Sequence, residues 1–309
     1  GISSTAHGES SNNMGLVINA PLIEGRLAGR LALYRDDQGG YIDNVAGTFQ
    51  ADNSINPTFP GDTVTFAEGT QFADGSVVGA GGLTVPVSKA VANNNDLLED
   101  DFNDATYEGA RLGLKYVLND EWDVLVQYSE QSLQSEGVFD YDPTVGDLEV
   151  NRYTPDSLDD EFSQTAWTVN GRLGDLDLIY TGAFLDREVT ANIDYTGYTN
   201  IGKYISGYQC EYLVGSYYNG LSSDTSTFYT FDPTIGGDPA VIECGTPANA
   251  ARIENENTRW THEARVASNF AGPFNFQAGV YYEDFEIKHI GDFNYQAPSD
   301  AGFNPSDIR

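Results

Sequence analysis

Apolar and polar residues alternate strictly along several stretches of this chain, and these stretches come in pairs joined by short turns. The clearest pair runs from Tyr107 to Gln131. Its apolar positions share one face: Leu112, Leu114, Tyr116, Leu118, Trp122, Val124, Val126 and Tyr128. Side chains on a strand point alternately to opposite faces, so Lys115 and Gln127 lie on the other face. The pattern predicts an antiparallel hairpin that turns at Asn119, Asp120 and Glu121.

Three further hairpins follow the same pattern. The earliest in the chain turns at Ile23, Glu24 and Gly25, and its apolar positions are Leu16, Ile18, Ala20, Leu27, Leu31 and Leu33. A second runs from Phe162 to Asp186 and turns at Gly174 and Asp175, residue types that tolerate the positive φ of tight hairpins. A third runs from Thr258 to Ile287 and turns at Ala271, Gly272 and Pro273. Four hairpins predict eight strands.

The lengths of these strands and their connections predict an antiparallel transmembrane β-barrel. Most of the strands are about ten residues or longer, whereas strands of soluble proteins are usually about five or six residues long. A tilted strand needs about nine to eleven residues to cross a bilayer. Turns are short on one side and loops long on the other, as in outer-membrane barrels. A soluble sandwich or β-solenoid also alternates, but it does not predict this one-sided asymmetry.

The alternation assigns one face to lipid and the other to the barrel lumen. We expect Leu114, Val124, Val169, Leu178 and Val280 to face lipid, and Lys115, Gln127, Asn170, Thr181 and Gln277 to face the lumen. Aromatic residues near strand ends fit the girdles found at membrane interfaces: Tyr34, Trp122, Tyr128, Trp167, Trp260 and Tyr282. Ordinary packing within a sheet explains these aromatic residues equally well.

The formal net charge of −32 is concentrated in three predicted loops, which run from Asp36 to Thr106, from Gln131 to Glu161 and from Glu188 to Asn257. These loops hold most of the 47 acidic residues and few of the 15 basic ones. An acidic outer rim excludes nucleic acid and other polyanions as partners and attracts cations. Simple solvation of surface loops accounts for the same distribution.

Both cysteines of the chain, Cys210 and Cys244, fall in the third predicted loop. A pair of cysteines within one exposed loop predicts a disulfide in an oxidising compartment. Free thiols or a metal site are the alternatives, but no Cys-x-x-Cys pattern or nearby histidine supports them.

The sequence offers little catalytic chemistry, and we expect neither an enzyme nor a bound cofactor. Its three histidines are scattered, and no nucleophile, zinc or phosphate-binding motif accompanies them. His262 falls on the apolar face, where a structural role is expected. Two acidic clusters supply the hard oxygen ligands that Ca²⁺ favours. These weak calcium candidates are Glu99, Asp100, Asp101 and Asp104 in one cluster and Asp140, Asp142, Asp147 and Glu149 in the other, and neither has the spacing of a known calcium loop.

Several of these segments resemble the barrel strands of TonB-dependent outer-membrane receptors. The early stretch from Pro21 to Asn44, with Arg26, Leu27, Ala28 and the run Tyr34 to Asp37, is similar to the first strands and the entry to the first outside loop. The stretches from Phe184 to Glu188, from Thr261 to Ser268 and from Ala278 to Tyr282 are similar to later strands. The resemblance covers nearly the whole chain.

The resemblance implies active uptake of a scarce small-molecule ligand, such as a siderophore-bound iron, a cobalamin or a carbohydrate. It also implies outer-membrane lipid as the surroundings and the TonB–ExbB–ExbD complex of a Gram-negative bacterium as the energy-transducing partner, contacted through a plug domain. The sequence does not identify the ligand-binding residues.

Receptor barrels of this size class have about 22 strands. We therefore expect residues 1–309 to be a partial barrel domain that lacks the plug and the C-terminal strands. A passive porin, a small eight-stranded adhesin or anchor barrel, and a soluble β-rich surface domain are the alternatives.

Overall fold

The computed structural model describes residues 1–50, 63–66, 68–69, 77, 79–86, 91–200 and 246–294. Within these ranges the chain forms strands and two short 3-10 helices, Asn95–Leu97 and Thr196–Asn200. The strands, in chain order, are β1 (Ile2–Ser4), β2 (Ser10–Ile23), β3 (Leu27–Gln38), β4 (Asp43–Asn44), β5 (Thr48–Gln50), β6 (Thr63–Phe66), β7 (Leu83–Pro86), β8 (Val91–Asn93), β9 (Ala105–Val117), β10 (Trp122–Glu136), β11 (Glu149–Val150), β12 (Ser157–Leu173), β13 (Leu176–Asp194), β14 (Ala250–Ser268) and β15 (Gln277–Asn294). No helix in the described ranges is long and apolar enough to cross a membrane.

One antiparallel sheet dominates the fold, with the strand order β1-β2-β3-β9-β10-β12-β13-β14-β15. Eight of these strands are long, and they form the four hairpins that the alternation predicts, with turns at the predicted places. Every long strand pairs with its neighbour along the chain, as in an up-and-down sheet. Among the described residues, β1 and β15 form the two edges of the sheet.

The long strands extend beyond their predicted ends. β13 continues to Asp194 and β14 begins at Ala250, so the third loop is shorter at both ends than the predicted stretch from Glu188 to Asn257. Likewise, β12 begins at Ser157, inside the predicted second loop. The boundaries predicted from the sequence are wrong here because backbone pairing persists where the alternating apolar side chains stop.

The register confirms the two predicted faces of the sheet. One row of directly paired residues crosses all eight long strands and consists of Ile23, Leu27, Tyr116, Val124, Val169, Tyr180, Ala264 and Val280. A row on the opposite face consists of Ala28, Lys115, Leu125, Thr168, Thr181, Glu263 and Tyr281. Tyr34 pairs with Gly109 in a row of the second face, so packing within the sheet, and not a girdle on the apolar face, accounts for this aromatic residue.

The apolar face forms a band of limited height. On β13 it runs from Leu176 to Phe184, nine residues that span about 30 Å along the strand. Above the band the same face turns acidic, with Glu161, Glu188 and Glu256 directly paired across β12, β13 and β14. Like charges that face each other directly are destabilising where water is excluded, so we expect this acidic end of the face to lie in water.

Side-chain hydrogen bonds and glycines close the short turns. Asn119 Oδ1 accepts from the backbone N–H of Glu121 and of Trp122, each at 2.9 Å. Gly174 adopts a φ of +62°, which an L side chain rarely takes. In the last turn Asn275 Oδ1 accepts from the Phe270 N–H at 2.7 Å. The turns are therefore specified locally, as their sequences predict.

Candidate functional site

The described parts of the three loops at the other end of the sheet pack into a cap, and most of the fully buried residues among the described ones lie there. The described residues of this loop cap are 39–50 and 91–104 from the first loop, 137–156 from the second, and 195–200 with 246–249 from the third. Strand β4 of the first loop pairs in parallel with β11 of the second. The buried residues of the cap include Ile42, Asn44, Asn94, Asn103, Val150, Thr154, Asp156, Thr196 and Asn249.

Buried asparagines join the first loop to the second. Asn44 Oδ1 accepts from the Arg152 N–H at 2.8 Å and from Asn94 Nδ2 at 3.2 Å. Asn44 Nδ2 donates to the Leu97 carbonyl at 2.7 Å. Asn103 Oδ1 accepts from the N–H groups of Tyr41 and Ile42 at 2.7 and 2.8 Å. Because buried loop backbone needs hydrogen-bond partners, these side chains make the cap an ordered layer.

Asp194, the last residue of β13, joins the second loop to the third. Its carboxylate accepts from the N–H groups of Tyr153, Thr154 and Thr196. Its own N–H donates to Asp156 Oδ1 at 2.8 Å. Asp156 Oδ2 lies 3.4 Å from Arg152 Nε, a partly buried ion pair. Burial raises the pKa of the Asp156 carboxyl, although the hydrogen bond from Asp194 and the charge of Arg152 oppose the shift.

A cavity of about 490 Å³ opens beside this group of charges. The rings of Phe49, Tyr141 and Tyr153 contribute to its wall, and the centroids of Phe49 and Tyr153 are 5.8 Å apart in an edge-to-face arrangement. Arg152, Asp140, Asp142 and Asp194 also line it. Burial raises the pKa of the Tyr153 hydroxyl, and the nearby Asp194 charge adds to the shift. Concave sites with aromatic walls and a few convergent polar groups are typical of small-molecule binding.

The weak calcium candidates do not meet as a metal site. The described residues hold no group of three or more histidine, cysteine, aspartate or glutamate side chains that could bind a metal ion. Asp142 Oδ1 accepts from the Thr144 hydroxyl at 2.7 Å and from its N–H at 2.8 Å, and these bonds lower the pKa of the Asp142 carboxyl. Asp140 lies 3.9 Å from Arg152 instead. Glu149 packs against Gly146 in the same turn. Asp147 lies in the loop between Asp142 and Glu149, and it belongs to no group of three or more possible metal ligands among the described residues.

The first acidic cluster is likewise held by its own loop. Asp101 adopts a φ of +58°, and its N–H donates to Asp43 Oδ1 at 2.9 Å. The Glu99 backbone exchanges hydrogen bonds with the Asn44 backbone. The predicted disulfide residues, Cys210 and Cys244, lie outside the described residues, so their pairing stays a prediction.

Ion pairs occur along the face opposite the apolar band. Lys115 Nζ lies 3.4 Å from Asp123, and Arg172 Nε lies 2.8 Å from Asp177. Arg259 and Arg265 pair with Glu283 and Glu263 at 2.5 and 3.0 Å. Arg187 pairs with Asp160. This mixed-charge face fits contact with water or with a polar protein surface.

His262 lies on the apolar face, as predicted, within a group of aromatic rings. Tyr180 and Trp260 stack parallel to its ring at centroid distances of 6.2 Å each. Its Nδ1 lies 2.9 Å from the Tyr180 hydroxyl oxygen. Trp167 and Tyr282 complete the group at 5.9 and 6.3 Å. These contacts give the histidine a structural role.

Sequence reasoning did not single out Asp194, Asp156 or Arg152. All three lie among many other loop acids and bases, and their partners are distant in sequence: Tyr153 and Asp194 are 41 residues apart. Only the rarity of an arginine in the second predicted loop distinguishes Arg152. A search for lone basic residues in acidic loops would have found it.

Comparisons with known proteins give a distant likeness to two transporters. Neither a protein-family model nor a curated protein matches the chain. Among solved structures, the outer membrane transporter YddB from Escherichia coli has 9% identity and a TM-score of 0.32, over 93% of this chain and 32% of that one. The ferric-catecholate import receptor Fiu from Escherichia coli K12, in its open form, has 10% identity and a TM-score of 0.34, over 90% of this chain and 43% of that one. The chain thus spans less than half the length of either structure.

Proposed function

We propose that this chain forms part of the β-barrel of a bacterial outer-membrane receptor that takes up a small molecule with TonB-derived energy. The observation that carries the proposal is the apolar row that crosses eight consecutive long antiparallel strands, with ion-paired residues on the opposite face. A band about nine residues high matches a tilted transmembrane strand. Tight turns at one end and a cap of loops at the other match the sidedness of outer-membrane barrels.

In this proposal, outer-membrane lipid covers the apolar band, and further strands continue the sheet. Among the described residues, β15 pairs with β14 alone, and every residue of β15 is exposed. An unpaired strand edge within lipid leaves backbone groups without partners, at a cost of several kcal/mol per group. We therefore propose that further strands pair with this edge and close the barrel. This arrangement favours a large barrel over one of eight strands.

The loop cap supplies the ligand site in this proposal. Its cavity offers aromatic walls from Phe49 and Tyr153 and charged groups from Arg152 and Asp194. Such a lining suits a small solute that contains an aromatic ring or a sugar ring and also carries hydrogen-bonding groups. The resemblance to TonB-dependent receptors supports uptake of a siderophore-bound iron, a cobalamin or a carbohydrate, with a plug domain linking the barrel to the TonB–ExbB–ExbD complex.

Fractionation and electrophoresis test the membrane assignment. We expect the protein in the outer-membrane fraction, resistant to carbonate extraction, and migrating differently before and after boiling. Recovery in the soluble fraction would contradict it and favour a soluble surface domain.

Uptake in two genetic backgrounds separates an importer from a porin. Cells that carry the protein should accumulate its solute against a gradient only when TonB is present. Equal uptake with and without TonB, saturating at the external concentration, would instead identify a passive pore.

A further inference from the structure

Two arginines on the polar face of the sheet stand apart from the ion-paired pattern around them. The long strands place seven basic residues on this face: Arg30, Arg111, Lys115, Arg172, Arg187, Arg259 and Arg265. Five of the seven have a carboxylate partner. Across the described ranges, Arg30 and Arg111 have none. In a chain with a net charge of −32, two neighbouring cations without a partner are unexpected.

The register brings the two arginines together around a glycine. Arg30 on β3 pairs with Gly113 on β9, and Arg111 lies two residues before Gly113 on the same face. On the far side, Gly113 pairs with Gln127 of β10. A Cβ added at Gly113 would have no neighbour closer than Gln127 at 3.9 Å, so the space above the glycine is open. Arg30, Arg111 and Gln127 therefore border one gap.

Two adjoining cavities occupy this gap. One, of about 270 Å³, is lined by Arg30, Ala32, Arg111, Gly113 and Gln127. Its neighbour, of about 390 Å³, shares Arg30, Gly113 and Gln127 and adds Lys115 and Asn19. The described residues that line the two cavities include cations and amides but no carboxylate.

We infer that this gap, the Arg30–Arg111 site, binds a carboxylate or phosphate group. Two guanidinium groups and a side-chain amide border one cavity, and together they can supply the several N–H donors that a planar or tetrahedral oxyanion accepts. Like charges on neighbouring strands repel, and a bound anion removes that repulsion. The site lies level with the apolar band, since Leu31 of the same strand belongs to the band. On the proposed barrel it faces the interior, away from lipid.

The anion comes either from a solute or from an acidic side chain of another segment of this protein, and inorganic phosphate distinguishes the two sources. The experiment uses the protein isolated from its membrane in detergent, at constant ionic strength. The test variant combines Arg30→Gln with Arg111→Gln. The control is Arg265→Gln, which removes an arginine on the same face that already has a partner in Glu263.

For a solute anion, phosphate raises the unfolding temperature of the wild type and the control saturably. The double variant then binds phosphate at least about tenfold more weakly, because it loses charge-assisted hydrogen bonds. For an internal carboxylate, phosphate has no effect, and the double variant unfolds at a lower temperature than the control. Phosphate stabilisation that is equal in all three proteins would overturn the inference. The inference would also be overturned if phosphate had no effect on any of the proteins and the double variant unfolded at the same temperature as the wild type. Heat-modifiable migration of each variant reports separately whether the barrel itself forms.

Discussion

The Tyr34 hydroxyl donates a 2.5 Å hydrogen bond to Gln131 Oε1 across an intervening strand, although the two residues are 97 positions apart. Tyr34 lies on β3, Gln131 on β10, and Gly109 of β9 lies directly between them in register. A Cβ at Gly109 would come within 2.6 Å of the tyrosine hydroxyl oxygen. The glycine therefore lets one side chain connect three strands.

We predict that Gly109→Ala destabilises the sheet by about 1 to 3 kcal/mol, because the added methyl group overpacks the strand and displaces Tyr34. Unfolding in urea with tryptophan fluorescence as the signal measures the loss. Gly113→Ala is the matched control, since its Cβ meets only ordinary contacts at 3.9 Å on the same face of the same strand. Equal unfolding midpoints for the two variants would contradict the prediction.

Adjacent residues of β12 test the assignment of the two faces. We predict that Val169→Arg impairs membrane assembly, because a charge on the lipid face near the midplane costs about 2 to 4 kcal/mol. Thr168→Arg should assemble, since Thr168 pairs with Thr181 on the ion-paired face. The yield of heat-modifiable protein in the membrane fraction is the measure. Impaired assembly of the threonine variant alone would reverse the faces.

The cap should open locally when Asp194 loses its carboxylate. Asp194→Ala leaves the N–H groups of Tyr153, Thr154 and Thr196 without their acceptor, at a cost of about 1 to 3 kcal/mol for each group that stays buried. We predict faster hydrogen exchange at these three amides, with the sheet unchanged. Asn103→Ala provides the comparison, because it should accelerate exchange at Tyr41 and Ile42 instead. Uniform acceleration in both variants would indicate that the cap unfolds as one unit.

Protonation of Asp156 should strengthen the cap. Burial raises its carboxyl pKa above the ordinary 3.8, so the closed cap binds the proton more tightly than the open one. The stabilisation of the closed cap by protonated Asp156 is fully present below the ordinary pKa and is lost as the pH rises through the raised pKa. We predict that the protection factor of the Asp194 amide, which donates to Asp156, falls as the pH rises above the ordinary carboxyl pKa of 3.8 and through the raised one.

Asp156→Asn should flatten that dependence, since the amide does not titrate. Asp142→Asn serves as the control. Hydrogen bonds from Thr144 lower the pKa of Asp142, so the stability that this carboxyl contributes is lost as the pH falls, the opposite of the dependence expected for Asp156. A protection factor that rises with pH in the wild type would show that Asp156 does not govern the cap.

The prediction of a bond between Cys210 and Cys244 is open to direct measurement. Mass spectrometry of unreduced peptides from membranes should find the linked pair. Reduction should loosen the third loop, with a loss of about 3 to 4 kcal/mol in the chain-entropy treatment, and leave the sheet paired. Two freely alkylated cysteines would show that the loop has no crosslink.

The hairpins could be predicted from the sequence because their determinants are local. Alternation assigns Val124 and Lys115 to opposite faces, and residues such as Asn119 and Gly174 mark the turns within a few positions. The contacts between strands are not local. Trp122 covers Gly171, and Trp167 covers Gly182, only because the register places each glycine beside the ring.

The candidate site in the cap could not be predicted for the same reason. Its central contacts join Asn44 to Arg152, which are 108 residues apart, and Asp194 to Asp156, which are 38 apart. Side chains of asparagine and aspartate can hydrogen-bond to any suitably placed backbone group, so the residues that make such contacts do not recur at a fixed spacing in the sequence. Folding of the loops determines which of many such residues become buried.

If the strands cross the outer membrane as proposed, the extension of β13 and β14 beyond the apolar band determines which part of the protein an approaching particle meets first. From Phe184 to Asp194 the pair rises for about another 30 Å along the strand, outside lipid on the proposed orientation. The extended strands therefore hold the loop cap above the apolar band. On this extension, the face that continues the apolar face carries Glu161, Glu188 and Glu256. Antibodies and other large particles would reach the extended strands and the cap first. The lipid-level strands would stay out of their reach, and binders raised against intact cells should map to the loops.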